Sequence, residues 1–115
     1  MINTSQIVRD WIEAGNQYDT ETYVSYFDDN AIIDEHSVGT KIKGKKEIRK
    51  YFETYFIGYE THTTITKLTL EDAQHISIEI HFSGNFPQKD LDGWFHLAFN
   101  DAGDKIVFAD TGFVE

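Results

Sequence analysis

The sequence contains no cysteine. That excludes disulfides, thiolate nucleophiles and cysteine-bound zinc. It has a single proline, Pro87, and its glycines fall one at a time, so no flexible linker divides the chain. No apolar run approaches the roughly 20 residues of a membrane-spanning helix. The opening stretch, MINTSQIVRDWIEAG, lacks the basic start and unbroken apolar core of a secretory signal. Positive charge is scarce as well: ten Lys and Arg stand against twenty Asp and Glu, for a formal charge of -10. A field of that sign repels phosphate, and the one basic cluster, Lys41 to Lys50, is short and shared with a helix start. The expectation is a cytoplasmic protein with neither nucleic acid nor membrane as partner.

Aromatic side chains are abundant. Nine Phe, six Tyr and two Trp in 115 residues can fill a core and also line a cavity. The length suits one domain over residues 1–115, burying roughly two thirds of its unfolded surface.

Periodicity orders the elements. Thr4 or Ser5 can cap a first helix whose apolar face is Ile7, Val8, Trp11, Ile12 and Ala14, with Gly15-Asn16 as its stop. Asp19 can cap a short second helix carrying Tyr23, Val24, Tyr26 and Phe27, ended by the turn residues Asp28-Asp29-Asn30. A short strand, Ala31 to His36, follows. After Gly44 the residues Ile48, Tyr51, Phe52, Tyr55, Phe56 and Tyr59 form a helical stripe, which reads first of all as core. From Thr61 the period becomes two. Thr61 to Leu70 is rich in β-branched residues, His75 to Phe82 alternates strictly, and Leu91 to Phe99 and Lys105 to Val114 complete a meander. Helices followed by antiparallel strands predict an α+β fold.

Four stretches, in this order, resemble the nuclear transport factor 2-like (SnoaL-like, ketosteroid isomerase-like) superfamily. Glu13-Ala14-Gly15-Asn16 and then Tyr26-Phe27-Asp28-Asp29-Asn30-Ala31 resemble its helix break and the start of its first strand. Gly39-x-x-Ile42-x-Gly44-x-x-x-Ile48-x-x-Tyr51-Phe52 resembles the passage from a short strand into the third helix. Phe99 to Ile106 resembles the closing hairpin. The resemblance implies three N-terminal helices packed on a curved, mostly antiparallel sheet, forming a cone with a pocket at its mouth. It implies that Trp11, Tyr18, Phe52, Tyr55 and Phe56 line that pocket. The row Ile76, Ile78, Ile80 and Phe82 should then face the helices. Glu79, His81, Trp94 and His96 should lie on the outer face, through which a homodimer is expected.

The chemistry rests on Asp34, Glu35 and His36, at the end of the strand that carries a catalytic acid or base in related enzymes. Alternation puts Glu35 on one face with Ala31 and Ile33, and Asp34 and His36 on the other; a one-residue bulge would exchange them. A carboxylate in an apolar pocket can take a proton from carbon or water. Steroid isomerisation itself is not expected, because Val8 and Phe95 stand where the resemblance would require the oxyanion donors. No phosphate-binding loop or nucleophile elbow appears, and no cofactor is expected. His81 and His96, near Glu79, come nearest to a metal donor set, but five scattered histidines do not make one and no metal is expected. Two functions remain. One is a cofactor-independent isomerase, cyclase or hydrolase acting on a small apolar molecule; the other is a non-catalytic ligand-binding or dimerisation module.

Overall fold

The computed structural model describes residues 2–114. Helix α1 runs Thr4–Asn16 and is capped by Asn3, whose side chain accepts from the Gln6 amide; the expected cap lay one or two residues later. Its apolar stripe buries Val8, Trp11 and Ile12. The helix stop also differs from expectation. Gln17 remains right-handed and Tyr18 takes the left-handed backbone, with φ 57°. This leaves Gly15 to pack closely against the Tyr23 ring. Asn16 is used for something other than a turn: its amide donates to the Thr63 carbonyl at 2.8 Å, and its side-chain oxygen accepts from the Thr63 amide at 2.7 Å. That pair ties the helix end to the start of a strand as a neighbouring strand would. Helix α2, Thr20–Ser25, is capped by Asp19 as its sequence predicts.

Strand β1 runs Phe27–Glu35, so it begins before the expected Ala31. The turn chemistry of Asp28-Asp29-Asn30 is spent on a bulge inside the strand, where Asp28 accepts from the Asn30 amide and the pairing shifts between Phe27 and Ile32. A short hairpin partner, β2 (Thr40–Lys43), leads into helix α3 (Gly44–Phe52). Residues expected to continue that helix form a π-helical turn, Glu53–Ile57, with Gly58 donating to the Glu53 carbonyl and Thr61 to the Phe56 carbonyl, both five residues back. Strands β3 (His62–Asp72), β4 (His75–Ser83), β5 (Asp90–Phe99) and β6 (Ile106–Phe113) complete the chain.

The six strands form one sheet in the order β2-β1-β6-β5-β4-β3, antiparallel except where β6 lies parallel to β1. The α+β class is the one that the element order predicts, and the cone is the one that the resemblance implies. Ile76, Ile78 and Ile80 on β4, with Phe95 and Leu97 on β5, face the helices and are almost fully buried. At the closed end of the cone the Trp11 ring meets Phe27, Phe95 and Tyr23 at centroid distances of 5.8, 5.2 and 5.4 Å. Among the described residues, no helix is long and apolar enough to cross a membrane.

Candidate functional site

The open end of the cone holds a cavity of about 270 Å³, near the lower end of the roughly 300–1,000 Å³ usual for ligand pockets. The end of β1 supplies one wall, through Glu35, Ser37 and Val38. Tyr51 of α3, Tyr55 and Phe56 of the π-helical turn and Tyr59 just after it supply a second. Phe82, the β4–β5 loop around Phe86 and Pro87, and Phe113 at the end of β6 close the third. Seven of the lining residues are aromatic, and Glu35 is the only carboxylate or basic group among them.

Glu35 is 6% exposed. Alternation along β1 puts it on the inner face with Ala31 and Ile33, beside Thr111 of β6. Its Oε1 accepts from the Ser37 amide at 3.0 Å and from the Ser37 hydroxyl at 2.7 Å. Its Oε2 accepts from the buried Tyr51 hydroxyl at 3.0 Å. These three donors replace the water that a buried carboxylate loses. Burial first, and then the Glu35 charge, push the Tyr51 phenol well above its ordinary range, so it stays protonated and donating.

Asp34 and His36 point the other way. The bulge in β1 falls early in the strand, between Phe27 and Ile32, so it does not disturb alternation at the strand end. On the outer face the His36 Nε2 meets Asp110 Oδ1 of β6 at 2.6 Å, and Asp34 brings an oxygen into the same cluster, with all donor atoms within 4.8 Å of one another. The hydrogen bond to Asp110 raises the His36 pKa above its usual value. Alternation puts Asp34 and His36 on one strand face; Asp110 joins them only because β6 lies beside β1, which no local pattern encodes. His81 instead bonds Asp92 and Asp90 across the β4–β5 hairpin.

The expected lining residues divide. Tyr55 and Phe56 face the cavity. Trp11 is fully buried in the closed end of the cone, where other rings surround it. Phe52 is fully buried behind Phe56, stacked against Tyr23 at 4.1 Å and Phe56 at 5.4 Å. Tyr18 is turned to the surface by its left-handed backbone and is 38% exposed. The sequence reading missed Ser37 and the Tyr51 contact. Ser37 two residues after Glu35 carried a usable signal, since Ser readily bonds a neighbouring side chain or amide at a strand end.

Residues 8–109 match the family described as the SnoaL-like domain. The chain belongs to the SnoaL-like domain family. No curated protein matches the sequence. Among solved structures, this SnoaL-like domain is similar to a protein of unknown function with a cystatin-like fold from Methylobium petroleophilum PM1, with TM-score 0.85 and 17% identity, covering 97% of this chain and 76% of that one. It is similar to SalBIII, an epoxide hydrolase/cyclase-like enzyme with a role in pyran ring formation in the polyether salinomycin, with TM-score 0.84 and 18% identity, covering 96% and 90% of the two chains. It is also similar to RV0760c from Mycobacterium tuberculosis, solved in complex with estradiol-17beta-hemisuccinate, with TM-score 0.83 and 18% identity, covering 94% and 91%. At these identities the likeness establishes the fold of the SnoaL-like domain and leaves its chemistry to the cavity.

Proposed function

We propose that this SnoaL-like domain binds a small, largely apolar molecule in the cavity at the mouth of the cone and that Glu35 acts there as a general base. The observation that carries this reading is the position of Glu35, the one carboxylate among seven aromatic rings, held by three hydrogen bonds. The hydrogen bonds from Ser37 and Tyr51 orient the carboxylate, and the rings around it exclude water, so a proton taken by Glu35 comes from the bound molecule or from a water beside it. Asp34 and His36 lie on the opposite face of the strand, which favours Glu35 of the three. A SnoaL-like relative in fold is an epoxide hydrolase/cyclase-like enzyme and another holds a steroid ester, which supports the same class of ligand and reaction.

The test is turnover or solvent-deuterium exchange across a panel of epoxides, cyclic ketones and aryl amines, followed by proton NMR. Glu35→Gln should slow any active panel member by roughly 10²–10⁴-fold, the usual scale for a positioned base. Equal rates in the two proteins would remove Glu35 from the reaction.

We also read the outer face as the surface through which two copies pair. Trp94 lies there over Gly112, 4.6 Å from the His96 ring and 5.8 Å from the His36 ring, and a large indole on an open sheet face favours an interface.

A further inference from the structure

The charge inventory of the cavity is one-sided. It has one carboxylate and no Lys, Arg or His to balance it. The Ser37 amide is an obligatory donor to Oε1, the Ser37 hydroxyl bonds the same oxygen, and the Tyr51 hydroxyl bonds Oε2. A carboxylate has about four acceptor positions, so one remains, on Oε2. Only a donor can occupy it. A ligand carboxylate or phosphate would meet like charge with no cation to offset it.

The rest of the wall has the same preference. Tyr51, Tyr55, Tyr59 and Phe86 form a row of rings, with successive centroids 5.5, 6.5 and 6.3 Å apart. The row runs from the Glu35 contact outward, and Tyr55 and Tyr59 are 40% and 39% exposed at the mouth. Ring faces carry negative charge density and attract organic cations. The formal charge of -10 adds a long-range field of the same sign.

From this we infer that the ligand of the cavity is a hydrophobic amine in its protonated form, its ammonium N–H filling the open position on Glu35 Oε2 and its apolar body lying along the Tyr51–Phe86 row. The inference rests on the reading of the cavity as a small-molecule site and names the chemical class of the molecule that Glu35 faces.

Three near-isosteric probes decide it on the unaltered protein: 2-phenylethylammonium, n-propylbenzene and 3-phenylpropanoate, titrated at neutral pH and followed by amide NMR shifts of Ser37, Thr61 and Phe113. The ammonium should bind about ten-fold or more tighter than propylbenzene, with the propanoate weakest. Glu35→Gln should shrink the ammonium's advantage to about three-fold or less, the part owed to the rings alone. Propylbenzene binding as well as the ammonium, or the propanoate binding best, overturns the amine assignment and leaves the cavity reading standing. If none of the three moves these amides, the cavity reading falls too.

Discussion

Tyr51 and Tyr23 both pack against the Phe56 ring, yet their hydroxyls are in opposite circumstances. The Tyr51 hydroxyl donates to Glu35, whereas the buried Tyr23 hydroxyl has near it, among the described residues, only the Trp11 indole N–H, which does not reach hydrogen-bond geometry. Burial raises the pKa of both phenols, so both stay neutral. Removing the two hydroxyls should therefore have unequal effects. Tyr51→Phe strips a donor from a buried carboxylate and should cost about 1–3 kcal/mol. Tyr23→Phe removes a polar group that gains nothing from burial and should be neutral or stabilising within about 1 kcal/mol. Urea unfolding midpoints at unchanged slope would show the order, and the reverse order would show that Tyr23 has a partner and Tyr51 does not need one. At this scale the sequence was half legible. Alternation alone placed Glu35 apart from Asp34 and His36. The Tyr51 contact was hidden because it joins a helix to a strand sixteen residues away, and no local period encodes that.

The π-helical turn shows why an element can be legible in kind and misread in form. The aromatic stripe from Ile48 to Tyr59 fits an α-helix, and the first nine residues from Gly44 are one. Tyr51 lies in the last turn of that helix and Phe56 in the wider turn that follows, and both reach the cavity wall. The i, i+3, i+4 pattern does not register this change, because rings at 51, 55, 56 and 59 satisfy both windings. Gly58 was the available clue. A Cβ at Gly58 would collide with the Thr54 carbonyl oxygen. Gly58→Ala should thus cost about 1–3 kcal/mol, well beyond its usual small effect in a helix, because the turn must rewind or the chain must shift. Thermal unfolding measures the loss, and displaced amide shifts at Thr61 would locate it. A stabilised Gly58→Ala protein would mean that the turn tolerates ordinary helical winding. The opposite misreading occurred in β1, where Asp28-Asp29-Asn30 has the chemistry of a turn but makes a bulge within a longer strand.

For the whole molecule, composition and element order were enough for the class of fold, and strict alternation from His75 to Phe82 was enough to tell the inner face of the sheet from the outer. Strand order was not legible. A run of strands suggests a simple meander, and nothing local says that the final strand must lie between the first and the fifth. That insertion creates the Asp34, His36 and Asp110 cluster and sets Thr111 beside Glu35. It also fixes the outer face on which Trp94 sits, and pairing through that face is checked by sedimentation velocity. The unaltered protein should sediment as a dimer and Trp94→Glu as a monomer, with ligand binding in the cavity unchanged. A Trp94→Glu protein that still sediments as a dimer would place the interface elsewhere.

The place of β6 has a further consequence for how the chain comes to its fold during synthesis. The β1–β2 hairpin and the β3–β4–β5 meander are each closed by near neighbours, but they share no strand pairing with one another until Ile106–Phe113 is available to join them. Until then the β5 side of that gap presents an unpaired edge and the apolar row of Phe95, Leu97 and Phe99 to whatever else is near. Of these six strands the one that joins the two halves of the sheet is therefore the last in chain order, and an unfinished chain leaves that edge open until it arrives.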